Sequence, residues 1–246
     1  MQATVVALYG EKSADLSALI DRCQSAVSRR LGSRFRRYAI RQVHATLVGL
    51  ERDERRPERF LNRNYAVHRL IDVAMDFGGL IAYLRSVCRV PLQVQIGGFQ
   101  DRDYPFTSRG ARPFDRCFSL QGGNVVVIGW PRQAASYPDT LQRIRLGAQR
   151  YGVLHAYHRQ PDDADNDCFF RIGILDDADS VGPEERAGVQ QTVRNMLGSS
   201  SPGLITIDSS SVSLAFYETE ELSPATTRAY ALSDERLDDV FVRGGY

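Results

Sequence analysis

His44 and Thr46 are the residues of this 246-residue chain whose types and spacing point most directly to chemistry. They sit in residues 42–50, QVHATLVGL, which read as a strand of period two. Gln42, His44 and Thr46 then share one face, and Val43, Ala45 and Leu47 share the other. The apolar face can be buried while the polar face borders an opening. Imidazole titrates near neutrality and a hydroxyl donates hydrogen bonds, so this face suits binding or working on an anion such as phosphate. Two more histidines, His155 and His158, stand at i and i+3 in the segment LHAYH. A helical turn would put them on one face, whereas an extended segment would put them on opposite faces. No third ligand lies at a telling spacing from that pair, so no metal site is expected, and no cofactor either.

These side chains need a scaffold, and the flanking sequence supplies one. Residues 4–8 form a short apolar strand. Leu16, Leu19, Ile20, Cys23, Val27 and Leu31 then recur at helical spacing, with Ser13 as N-cap and Gly32 as stop. After the His44 strand, residues 51–59 are a charge run and read as a solvated loop. Val67, Leu70, Ile71 and Ala74 suggest a helix within 60–76, with His68 on its surface. A clearer helix is capped by Asp76 and striped by Leu80, Ile81, Leu84, Val87 and Cys88. Residues 92–96 alternate as a half-buried strand, and the irregular segment 100–116 has the length of a functional loop.

Residues 117–120 and 124–130 flank Gln121-Gly122-Gly123, a hairpin signal. A helix opens at Pro138-Asp139 and stops near Gly152, and residues 159–167 read as an acidic loop. Residues 168–175 are a strand, Gly182-Pro183-Glu184-Glu185 starts a helix running to about Leu197, and strands follow at 204–208, 211–217 and 228–232. The charged tail 234–246 is assigned no structure, which leaves 1–233 as one expected domain. Strands and helices that do not alternate steadily make this an α+β chain rather than a parallel α/β one.

Composition narrows the function classes. Hydrophobic residues make up 43% and charged residues 25%, which is ordinary for a globular protein. The net charge of +1 provides no global basic field, so a DNA duplex is not an expected partner. Lys12 is the only lysine among 31 basic residues; genome composition accounts for this, although arginine is also the better bidentate partner for phosphate. Cys23, Cys88, Cys117 and Cys168 form no CxxC pair. Without a signal-peptide pattern, reduced buried thiols and a cytoplasmic location are expected. The apolar runs are too short to span a membrane.

The N-terminal strand and helix, the HxT pattern of His44 and Thr46, the segment PLQVQIGGF at 91–99, and the closing segments VSLAFYETEEL and TRAYAL together resemble the two-histidine (2H) phosphoesterase superfamily. Its members include bacterial 2′,5′ RNA ligase-like proteins and cyclic phosphodiesterases. The resemblance spans about residues 4–232 and implies two similar lobes, each an antiparallel sheet with helices outside, facing each other across a cleft. It also implies a second HxT or HxS strand, so that two histidines and two hydroxyls meet around one phosphate. The strand at 168–175 stands in that place. Setting Ile172 and Ile174 in its apolar slots puts Arg171 at the histidine position and Gly173 at the hydroxyl position. The chain departs from the family there, because an arginine neutralises phosphate but does not exchange protons.

His155 and His158 are the candidates to replace the missing group. Arg171, Gln42, Trp130 and Arg132 are the candidate phosphate or substrate contacts, although packing is the ordinary role of a lone tryptophan at a strand end. Three functions follow from this reading. The first is a metal-independent phosphodiesterase acting on an RNA or nucleotide phosphodiester (a 2′,3′-cyclic phosphate, a 2′,5′ linkage or a cyclic nucleotide). The second is a degenerate module of the same fold that binds such a ligand without cleaving it. The third is a surface of arginines, among 109–116 and at Arg132, that docks RNA or a protein.

Overall fold

The strand that carries Thr46 lies in the middle of one antiparallel sheet. The computed structural model describes all 246 residues. Its strands are β1 (Gln2–Ala7), β2 (Phe35–Arg37), β3 (Ala45–Gly49), β4 (Leu92–Ile96), β5 (Phe118–Gln121), β6 (Asn124–Pro131), β7 (Cys168–Leu175), β8 (Gly203–Ile207), β9 (Val212–Tyr217) and β10 (Arg228–Ala231). The helices are α1 (Ala14–Leu31), α2 (Phe77–Val87), α3 (Pro113–Arg116), α4 (Thr140–Ala148), α5 (Pro183–Ser199) and α6 (Asp239–Gly245). The fold is α+β. The strands run in the order β10-β9-β1-β3-β7-β6-β4-β8, with β2 beside β7 and β5 beside β6.

The helices form where the apolar spacing and the caps coincide. The Ser13 hydroxyl accepts from the Leu16 amide at 3.3 Å, and the helix it opens buries Leu16, Leu19, Ile20, Cys23, Val27 and Leu31. The Asp76 carboxylate accepts from the Gly79 amide at 2.9 Å, and α2 buries Phe77, Leu80, Ile81 and Leu84. All four cysteines are buried and free. No helix is long and apolar enough to cross a membrane.

The sheet has two four-stranded halves, β10-β9-β1-β3 and β7-β6-β4-β8, and they meet through a single residue pair, Ala45 opposite Phe170. Each half carries a bulge at the matching place. Along β1 and β3, Val5 faces Val48 and Val6 faces Thr46, which leaves Leu47 as the extra residue. Along β6 and β7, Val125 faces Gly173 and Val126 faces Arg171, which leaves Ile172 extra. A half-turn about the Ala45–Phe170 pair therefore exchanges Leu47 with Ile172, Thr46 with Arg171, and His44 with Phe169. This corrects the expected register by two residues. Arg171 is the counterpart of Thr46, not of His44, and Gly173 is the counterpart of Val48, not of a hydroxyl residue.

Two other segments differ from expectation. The tail at 234–246 is ordered: Leu237 and Val242 are buried, and the Tyr246 hydroxyl donates to the Leu50 carbonyl at 2.6 Å. Its charged residues pair at the surface, Arg243 with Asp239 at 2.6 Å, so the anchoring apolar residues are sparse and give no periodic signal. The stretch 60–76 forms only one wide turn, Tyr65–Arg69, closed by Leu70 at φ +53°, and Val67, Leu70 and Ile71 are exposed. Leu61 bridges to Ala74, which draws the two ends of the stretch together.

Candidate functional site

His44 stands just before β3, where a turn of 3-10 helix at Ile40–Gln42 delivers the chain into the sheet. That turn takes Gln42 off the row the alternation predicts. Its side-chain amide donates to the Glu221 carbonyl at 2.7 Å, while its own carbonyl accepts from Nδ1 of His44 at 2.7 Å. Gln42 thus holds the imidazole through its backbone and does not line the cavity. A bond to a carbonyl requires Nδ1–H, so the neutral ring carries its lone pair on Nε2. Burial, reinforced by the nearby charges of Arg171 and Lys12, pushes His44 down from 6.5 to about 4. At neutral pH it is a base. The Tyr9 ring packs edge-on against it at 5.9 Å, and the Tyr9 hydroxyl donates to the Leu222 carbonyl at 3.1 Å.

His44, Thr46 and Arg171 line one cavity of about 290 Å³ at the junction of the two half-sheets. Arg171 has one hydrogen bond, to the Tyr38 hydroxyl at 3.4 Å. The neighbouring Glu221 is engaged by both terminal nitrogens of Arg36, at 2.8 and 3.0 Å; the charge of Arg171 also helps hold that carboxyl below its usual range, but the two form no direct salt bridge. Phe169, the symmetry counterpart of His44, faces the same space and brings no proton chemistry.

The bulge changes which residues continue the row. Leu47 and Val48 both turn into the core, and the cavity face resumes at Gly49 and Glu51. Strict alternation from His44 would put Glu51 on the apolar side, and the charge run that it opens reads as a solvated loop. Glu51 instead accepts from the Tyr217 hydroxyl at 2.8 Å. Burial pushes its carboxyl above the usual range, against that hydrogen bond.

The opposite wall is the loop between α4 and β7. His155 lines the cavity, and its Nε2 lies 3.0 Å from Oδ2 of Asp165. Since that carboxylate is an acceptor, Nε2 carries the proton and Nδ1 the lone pair, and Nδ1 is buried without a protein partner. Burial and then the charge of Arg145 push His155 down to about 4, against the pull of Asp165. Burial alone would raise Asp165, but Arg145, His155 and Arg109 hold it well below the usual carboxylate range. Arg145 is itself buried and donates to the carbonyls of Thr46, Leu47, Asp165 and Asp167, as well as to Oδ2 of Asp165. It thereby ties the β3 bulge to the lead-in of β7.

The remaining candidates lie elsewhere. His158 is buried behind His155, rings 5.6 Å apart, with neither nitrogen partnered, and does not border the cavity. Its place follows from the turn in which its amide bonds to the His155 carbonyl at 2.9 Å, which gives only one of the two rings access. Trp130 is a core residue: Phe99 packs edge-on at 4.9 Å, and Nε1 donates to Asp167 at 2.7 Å. Arg132 donates to Gln95 at 2.8 Å and to the Ala134 carbonyl at 2.9 Å, away from the cavity. Both belong to β6 or its end, which lies on the far side of β7 from His44. No set of three His, Cys, Asp or Glu side chains converges in a metal-holding arrangement.

No family model matches the sequence. No curated protein matches it either. Among solved structures, the crystal structure of TT0787 from Thermus thermophilus is similar over 94% of this chain and 95% of its own, at 13% identity and a TM-score of 0.41. Likeness at that level carries no argument about function.

Proposed function

We propose that the cavity is a phosphodiester site and that the chain is a metal-independent hydrolase of RNA or nucleotide phosphodiesters of the 2H type. The observation that carries this reading is a neutral His44 with Nε2 free, in one cavity with Thr46 and with an Arg171 that forms no salt bridge. Arg171 and the Thr46 hydroxyl would hold the phosphate oxygens. His44 Nε2 would take the proton from the attacking water. The proton for the leaving oxygen would come from Nδ1 of His155, which is buried in the empty site and would first have to turn toward the phosphate. The bound anion favours a charged imidazole there, and Asp165 already holds its other nitrogen. His155 would then do from a loop what a histidine at the Phe169 position would do from the strand.

With a nucleoside 2′,3′-cyclic phosphate as substrate, turnover should persist in a chelator and fall by about a hundredfold or more in His44→Ala, the range expected on losing one general base. Unchanged turnover in that variant refutes the assignment. Phe169 in the place symmetric to His44 favours a second reading, a cleft that binds without cleaving. In that case Arg171→Ala weakens nucleotide binding while no hydrolysis is found at any pH.

A further inference from the structure

The cavity has an end that the phosphate chemistry leaves unused. Beyond the bulge, Gly49 lies three residues past Thr46, roughly 10 Å along the strand. A Cβ on Gly49 would stand 2.4 Å from Oε2 of Glu51, so the missing side chain is what lets this carboxyl fold back over the strand into the cavity. The Tyr217 hydroxyl, donating at 2.8 Å, fixes Oε1 and leaves Oε2 directed at the space above Gly49. Asn64 borders the same cavity and is 7% exposed. Its amide nitrogen donates to the Leu154 carbonyl at 3.0 Å, so its Oδ1 is a second acceptor without a protein partner. Besides that tyrosine the carboxyl has its own backbone N–H and the charge of Arg63, and neither Oε2 nor the amide oxygen is sealed from the cavity, so each is open to a donor.

We propose that the Glu51 end of the cavity is a base-recognition subsite, in which Oε2 of Glu51 and Oδ1 of Asn64 accept from adjacent N–H donors of a nucleobase. Guanine, with its imino N1–H beside the exocyclic amino group, matches that pattern most fully. The proposal rests on the reading of the His44–Arg171 end as the phosphate site, since the phosphate there anchors the nucleoside. The raised carboxyl of Glu51 fits a group still waiting for its partner, because a bound donor would stabilise the charged form.

The 3′-monophosphates of guanosine, inosine and purine riboside, which hold no phosphodiester to turn over, test it, for they share one ring system and carry two, one and no donor groups on the edge concerned. Equilibrium binding to the intact protein should weaken in that order, by about tenfold for each donor lost. In Glu51→Leu the three affinities should converge to within about twofold. Glu51→Gln keeps the shape and an acceptor, and should compress the series only in part, which provides the readout if the leucine variant does not fold. Arg171→Ala should weaken all three by a common factor and keep their ratios. A flat series in the wild type, with Arg171 still required, overturns the base subsite alone. Binding of none of the probes, or binding indifferent to Arg171, overturns the phosphate reading beneath it.

Discussion

Arg145→Met should cost more stability than any surface change in this protein, because one side chain closes the seam between the half-sheets. The guanidinium is 2% exposed and makes five hydrogen bonds. Nε donates to the Leu47 carbonyl at 3.2 Å, Nη1 to the Asp165 carbonyl at 3.0 Å and its carboxylate at 2.8 Å, and Nη2 to the carbonyls of Thr46 and Asp167 at 3.1 and 3.0 Å. Methionine fills most of the volume but leaves four carbonyls and a buried carboxylate without that donor. Only His155 and the partly exposed Arg109, at 3.3 Å, remain on Asp165. Breaking a buried pair from one side costs about 3–5 kcal/mol. At about 2–4 °C per kcal/mol for a chain of this length, the thermal midpoint should fall by about 6–20 °C. Melting followed by circular dichroism reads this directly. A fall below about 3 °C would mean that water replaces Arg145 at no cost, and that the seam is not held as described. The double variant Arg145→Met with Asp165→Leu should lose less than the sum of the two singles, since it removes the stranded charge.

His44 and His155 are both lowered in the folded protein, from 6.5 to about 4, so each contributes stability that is complete above 6.5 and lost as pH falls toward about 4. Between pH 6.5 and 5 the loss should be about 2 kcal/mol per histidine. Glu51, raised by burial, works in the opposite sense as it regains its proton, so the comparison that isolates the effect is wild type against His155→Gln, whose urea midpoint should vary less with pH. Tyr246→Ala should cost about 3–5 kcal/mol in urea unfolding, because the ring packs within about 6 Å of Phe60, Phe77 and Phe216 and its hydroxyl caps the Leu50 carbonyl. An effect below about 1 kcal/mol would mark the tail as dispensable.

The local signals of the sequence were sufficient where one element's own residues decide the outcome. The stripe from Leu16 to Leu31 with the Ser13 cap, the Asp76 cap on the next helix, and the shared face of His44 and Thr46 all follow from periods of 3.6 and 2 along contiguous residues. The α+β class follows from their order. What the periods do not contain is the extra residue in β3 and its counterpart in β7, because a bulge is a relation between two strands. Whether Leu47 or Ile172 stands unpaired depends on β1 and β6 as much as on its own strand. That one relation moved Glu51 into the cavity, and the antiparallel Ala45–Phe170 pairing set Arg171 across from His44. The loop partnership of His155 with Asp165 and Arg145, and the docking of Tyr246, likewise exist only once distant segments meet. The chain alone carries half of a phosphate-binding face, and long-range strand pairing decides what stands across from it.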